Sequence, residues 1–270
     1  VYGTVTGTSI GELFMAGFLP GVVYCLAFMA YSYYYAKKHD IPLEKKATKK
    51  EIWASFKTAG WALGIPILII GGIYGGFFTP TESAGIVAVY SIVVSCVVYK
   101  EMNLKDIFKV ACDSAMGTAQ VMIIMAGASV FAWLLTKFQV PVILANLISE
   151  FATTKFTILL TINIILLIAG MFLDPASIQT IMSPLFLPVA LSVGVNPVHL
   201  GIIMVVNGAI GMFTPPFGLN LFVASGTTKI PLSELIRSMW VWIILSCLAL
   251  LVITYIPQIR MALPDLLFRR

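Results

Sequence analysis

Charge is what this sequence has least of. Only 11% of its 270 residues are Asp, Glu, Lys or Arg, while 59% are hydrophobic. A soluble domain carries roughly 25% charged residues, so a water-solvated globule is excluded and an integral membrane protein is indicated. Histidine occurs twice, as His39 in a basic loop and His199 near an expected outer surface, and neither has a partner motif for metal or catalysis. The four cysteines, Cys25, Cys96, Cys112 and Cys247, sit in apolar segments without metal-ligand spacing. They read as buried thiols. There is no phosphate-binding glycine loop and no Ser-His-Asp set, which removes the common routes to nucleotide and nucleophilic chemistry.

The charge that is present is informative. The net charge of +5 is concentrated in the loop KKHDIPLEKKATKK, residues 37–50. Basic loops between apolar spans are retained in the cytoplasm. This one is therefore a topology signal, not a nucleic-acid patch. A span over 10–36 precedes it, ending in the Tyr31 to Tyr35 cluster expected of a membrane interface. Residues 49–59 read as an amphipathic arm lying on membrane lipid. Spans follow at 60–78, 80–99 and 107–136, with Asp113 inside the last and Lys137 placed to snorkel at its end. VPVILANLISEF (140–151) is too short to cross about 30 Å of hydrocarbon and belongs at the outer interface. The last span covers 238–257.

Two apolar runs, 156–173 and 175–193, are each short for a crossing and are split by LDPAS. A re-entrant hairpin opening to the outside, with its tip near Asp174, accounts for both. From Phe156 to Thr228, Asp174 is the only formally charged side chain. Asp before Pro175 is a helix-start signature. An intramembrane carboxylate also marks an ion or proton site. Asp174 is thus either a cap at a loop tip or a cation ligand, and one position can serve as both. Ser177 adds a hydroxyl.

The segment 197–225 contains GMFTPPFGLN, and Pro215 and Pro216 must interrupt its helix. Thr214 is expected to cap a new helix starting at Pro215, leaving the carbonyls of Gly211, Met212 and Phe213 freed. Irregular backbone persists at membrane depth only against protein or a wet cavity. Carbonyls plus a hydroxyl suit a small hard cation such as Na⁺, and the following helix N-terminus suits a carboxylate. Asn207 and Asn220 flank the break. The alternative is a proline kink that only shapes packing. FFTPTES (77–83), with Thr79 and Glu82 at capping-box spacing, reads as a structural turn.

GGIYGGFFTPTESAGIVAVY, INIILLIAGMFLDPASIQTIMSPLFLPVA and NPVHLGIIMVVNGAIGMFTPPFGLNLFVASG resemble the large membrane subunit of tripartite ATP-independent periplasmic (TRAP) transporters. The resemblance covers nearly the whole chain. It implies a secondary transporter in the bacterial inner membrane. Such a transporter imports an organic acid, of the sialic acid or C4-dicarboxylate class, on an inward Na⁺ gradient. A periplasmic binding protein would deliver the substrate, and a small four-helix membrane subunit would pack alongside. The implied fold is all-α and polytopic, an elevator with inverted repeats, each holding a re-entrant hairpin and a broken helix.

Carried onto this chain, the second cation site falls on Gly170, Asp174, Asn207, Gly211 and Thr214. The substrate-facing positions are Ser177, Pro215, Pro216, Gly218 and Asn220. The Gly-Ser-Ser hairpin and Pro-Pro-Ser break of the family's first repeat do not occur here. VYGTVTGTSIGELFMAGFLPG resembles the sequence just after that break, so further sequence upstream of Val1 is expected. Residues 1–59 would close the first repeat and supply a scaffold helix, the basic loop and the arm. Residues 60–153 would be scaffold and connecting helices, 154–228 the transport-domain hairpin and broken helix, and 229–270 the last span and tail. Two rivals remain: a cation channel, and a carboxylate symporter working without a binding protein. A lone Asp174 in a long apolar stretch is poor lining for a channel.

Overall fold

The computed structural model describes residues 1–41, 46–139, 143, 154–216, 218–256 and 258. Every regular element among them is helical. In chain order these are α1 (Tyr2–Thr6), α2 (Ile10–Lys38), α3 (Lys49–Tyr74), α4 (Pro80–Val93) and α5 (Leu104–Lys137). They are followed by α6 (Lys155–Gly170), α7 (Pro175–Ser192), α8 (Pro197–Gly211), α9 (Leu219–Thr228) and α10 (Leu232–Tyr255). A π-helical turn, Val94–Val98, prolongs α4. The interfacial piece expected at 140–151 lies, apart from Ile143, outside the described residues.

The chain forms two compact units, His39–Gln120 on one hand, and Val1–Lys38 with Val121–Arg270 on the other. In the smaller unit, α3 begins at a capping box. Thr48 Oγ1 accepts from Glu51 N at 3.3 Å, and Glu51 Oε2 accepts from Thr48 N at 2.7 Å. The arm expected over 49–59 and the span expected from 60 are one unbroken helix, because nothing before Pro66 removes a donor and Pro66 is carried inside it. At the head of α4, Thr79 and Glu82 form the second capping box, as their spacing predicts. Tyr90 OH donates to Trp61 O at 2.7 Å and pins α4 to α3.

In the larger unit, α6, α7 and α8 pack around Ile162, Leu166, Ile178, Phe186, Leu200 and Ile203, all essentially inaccessible. Ile162 and Leu166 lie four apart in α6, and Leu200 and Ile203 three apart in α8, so each helix offers one stripe. In a bilayer such packing stabilises mainly by close contact, since lipid is as apolar as the side chains. Tyr2 anchors α1 to this core: its hydroxyl donates to Pro197 O at 2.7 Å. Helix α10 packs on α8 and α2.

Four of the described helices are long and apolar enough to cross a membrane: Ile10–Lys38, Lys49–Tyr74, Pro80–Val98 and Leu232–Tyr255. Their outward faces carry side chains such as Phe14, Trp53, Ile67 and Ile244, each more than half exposed. In water that surface would be an aggregation hazard, and hydrocarbon solvates it. The cysteines do not follow expectation. All four are free, but Cys25 and Cys112 are exposed and Cys96 and Cys247 half-buried, because each sits on a helix flank turned away from the core. His199 is buried, 1% exposed.

Candidate functional site

Helices α6 and α7 are 16 and 18 residues long. At 1.5 Å per residue they span about 24 and 27 Å, less than the roughly 30 Å hydrocarbon core. They are joined by the short turn from Met171 to Asp174, where the sequence places the hairpin tip. Asp174 is the N-cap of α7. Its Oδ2 accepts from Ala176 N at 2.9 Å and Ser177 N at 3.0 Å. Ser177 Oγ donates to the other carboxylate oxygen. Three donors therefore hold one carboxylate and fix its direction.

The break in the second element is real, but its form differs from the expectation. Helix α8 stops at Gly211, and α9 starts only at Leu219, not at Pro215. Thr214 does not cap the following helix. Its hydroxyl turns back and donates to Ile210 O at 2.7 Å, closing the end of α8 instead. The reason is chemical: neither Pro215 nor Pro216 carries an N–H, so the first amides that a cap at Thr214 would accept from are missing. Nor are all the interrupted carbonyls left open. Gly211 O accepts from Thr214 N at 3.1 Å, and Met212 O accepts from Asn220 N at 2.9 Å. That second bond ties the start of α9 directly to the end of α8. Gly218, at φ 37°, makes the turn between them.

Tip and break meet through glycine. A Cβ added at Gly211 would lie 2.4 Å from both the carbonyl carbon and the oxygen of Gly170. One added at Gly208 would lie 3.1 Å from Pro175 Cβ. The ends of α6 and α8 thus touch backbone to backbone, and the start of α7 rests on the last turn of α8. Asn163 and Asn207, seven and four residues earlier, are also hydrogen-bonded, so the two helices run parallel. A cavity of about 250 Å³ opens at this junction, lined by Gly170, Met171, Leu173, Asp174, Met212 and Phe222 among others.

Of the expected cation ligands, Gly170, Asp174 and Gly211 are brought together. Thr214, 5% exposed, lies at the same helix end. Asn207 is fully buried one turn earlier, its amide nitrogen committed to Asn163 and to Ile203 O. Gly211, Thr214 and Asn207 do not line the cavity. Among the expected substrate-facing residues, Ser177 is tied to Asp174 and Gly218 is buried, while Pro216 and Asn220 are exposed. Gly208 and Asn163 went unnoticed in the sequence. The signal for the first was a second glycine three before Gly211. For the second it was a lone amide inside INIILLI. All these groups offer oxygen, and among the described residues no cluster of His, Cys and acidic side chains exists that would take a transition metal.

Residues 1–259 match the family described as "Tripartite ATP-independent periplasmic transporter, DctM component". The chain belongs to this transporter family. It is 43% identical over 265 residues to a C4-dicarboxylate TRAP transporter large permease protein of Pseudomonas aeruginosa, covering 98% of this chain and 62% of the relative. An ectoine/5-hydroxyectoine TRAP large permease protein of Ruegeria pomeroyi is 37% identical, over 100% of this chain and 63% of its own length. A sialic acid TRAP large permease protein of Vibrio cholerae is 35% identical, over 98% and 62%. This DctM-family chain therefore spans somewhat under two thirds of each of these three relatives. The matched residues include both the Asp174 turn and the Gly211–Gly218 break.

Proposed function

We propose that this chain is the portion of a Na⁺-coupled large permease subunit that holds one hairpin and one broken helix. The full subunit sits in the bacterial inner membrane as a multi-pass protein and imports a small organic acid. The observation carrying the reading is the contact of Gly170 with Gly211. It puts a capped carboxylate, a helix C-terminus and a buried hydroxyl at one junction. Helix C-terminal carbonyls attract cations, and a Na⁺ seated there would bridge tip and break. The ion is cargo, carried together with the acid.

The relatives' names point to small anionic or zwitterionic substrates: C4-dicarboxylates, sialic acid and ectoine carry a carboxylate, and isethionate carries a sulfonate in its place. The family description, tripartite and periplasmic, supports two further components: a periplasmic binding protein and a small membrane subunit. In the elevator mechanism the α6–α9 body would slide against a scaffold as one piece. Binding of Na⁺ orders the junction and so raises affinity for the acid, a coupling free energy between two sites. The test is uptake by proteoliposomes holding the full-length subunit and its partners. Accumulation that requires an inward Na⁺ gradient is expected. Gradient-independent downhill current, or full uptake without the binding protein, would replace this reading with a channel or a two-component symporter.

A further inference from the structure

A buried polar chain runs through α6, α8 and α10, on helices that also carry the buried apolar side chains Ile162, Leu166 and Ile203. Asn163 is 2% exposed, Asn207 0% and Thr254 2%. Asn163 Nδ2 donates to Leu159 O at 2.9 Å and to Thr254 Oγ1 at 3.2 Å. Asn163 Oδ1 accepts from Asn207 Nδ2 at 2.8 Å, and the same nitrogen donates to Ile203 O at 2.8 Å. Two backbone carbonyls, Leu159 O and Ile203 O, therefore fix which way each amide faces. Neither can be turned over without setting oxygen against oxygen.

The consequence falls on Asn207 Oδ1. It is buried and makes no hydrogen bond. Buried acceptors are costly to leave unmet, and a fixed one in a functional protein calls for an occupant. Both asparagines lie on the parallel helices whose ends meet at Gly170 and Gly211. Thr254 ties α10 to Asn163.

We propose that Asn163 and Thr254 are positioning residues for the cation site. They hold the Asn207 amide with its nitrogen turned away, so that its oxygen stays available to the ion-bound state. They also make α10 a support for the junction. This rests on the Na⁺ reading of tip and break. Asn163 and Thr254 need not touch the ion; they act through Asn207.

The test uses the full-length subunit reconstituted with its partners, measuring uptake against Na⁺ concentration. A second readout is the rise in unfolding temperature of the detergent-purified complex on adding NaCl rather than KCl. Asn163→Leu removes the chain's centre while keeping the same side-chain branching. Thr254→Val removes only a hydroxyl, and carries the test if Asn163→Leu does not assemble. Both are expected to raise the half-saturating Na⁺ about threefold to tenfold, the effect of losing one buried hydrogen bond. The maximal rate at saturating Na⁺ should hold, and Thr254→Ser should behave as wild type. The double variant should do no worse than Asn163→Leu alone, because both act through one chain. If Thr214→Val shifts the Na⁺ requirement and neither of these does, the chain is packing only and the proposal is overturned. If Thr214→Val fails to shift it as well, the ion-site reading falls, and the proposal with it.

Discussion

Gly211→Ala is the sharpest test of the junction. The new Cβ would sit 2.4 Å from the Gly170 carbonyl carbon and oxygen and 2.5 Å from its Cα. Comfortable carbon contacts are about 3.5–4.0 Å, so α6 and α8 must part by about 1 Å or more. The obstacle is backbone on both sides, so no rotamer change relieves it. Overpacking of this kind costs about 1–3 kcal/mol, while alanine in a helix returns about 0.5–1 kcal/mol over glycine. If the clash is borne mainly when the ion closes the junction, about 1.4 kcal/mol appears as a tenfold loss of Na⁺ affinity. Gly170→Ala should be milder: its Cβ would stand 3.1 Å from Gly211 Cα and 3.3 Å from Asn207 O, needing only a few tenths of an ångström. Gly226→Ala, with nothing within 4 Å, is the control and should be neutral or slightly stabilising. The assays are Na⁺ titration of uptake and thermal unfolding of the purified complex. Equal behaviour of Gly211→Ala and Gly226→Ala in both would refute the close approach and the site built on it.

Thr214→Val removes one oxygen and the bond to Ile210 O, worth about 1 kcal/mol. The half-saturating Na⁺ should rise toward tenfold, with Thr214→Ser normal; unchanged titrations would make the break a packing kink and take the ion-site reading down. Asp174→Asn should abolish or strongly weaken Na⁺ dependence while the complex still assembles, and wild-type Na⁺ dependence would reduce Asp174 to a cap. For topology, single cysteines at Lys46 and Ser192, in a background without the four native thiols, should react oppositely with an impermeant reagent on intact cells. Labelling at 192 and not at 46 is expected, and the reverse pattern overturns the orientation.

Most helix starts are legible in the sequence because proline, glycine and capping residues act locally. Asp174-Pro175, Thr79-Pro80 and Asn196-Pro197 each start a helix where their side chains accept from the next turn's amides. Thr214 is the exception, where the same Thr-Pro grammar gives a different outcome. One proline can open a helix at its first position, but two in succession delay it, and the hydroxyl then finds Ile210 O behind it. The arm at 49–59 has no end of its own in the structure, because amphipathic character fixes a face and not an end. Nor could the partners be read. The pairing of Gly170 with Gly211 links residues 41 apart, and that of Asn163 with Thr254 links residues 91 apart. Both depend on how the helices stack, which no local pattern encodes. The thiols went wrong for a related reason: an apolar helix in a membrane has as much lipid-facing as buried surface.

The two roles expected of Asp174 turn out to be compatible. A carboxylate offers about four lone-pair sites, and Ala176 N, Ser177 N and Ser177 Oγ take three. One direction remains, on a group that borders the cavity between tip and break. The cap prevents the side chain from swinging away, so little order has to be created when a cation arrives. Asparagine separates the roles. It is as good an N-cap as aspartate and can still accept from both amides through its one oxygen. Its amide nitrogen, however, would face the Ser177 hydroxyl and the cavity with donors and no charge. Asp174→Asn therefore leaves α7 folded while removing what a cation needs. A loss of Na⁺ dependence in that variant reports on the ion, not on the helix.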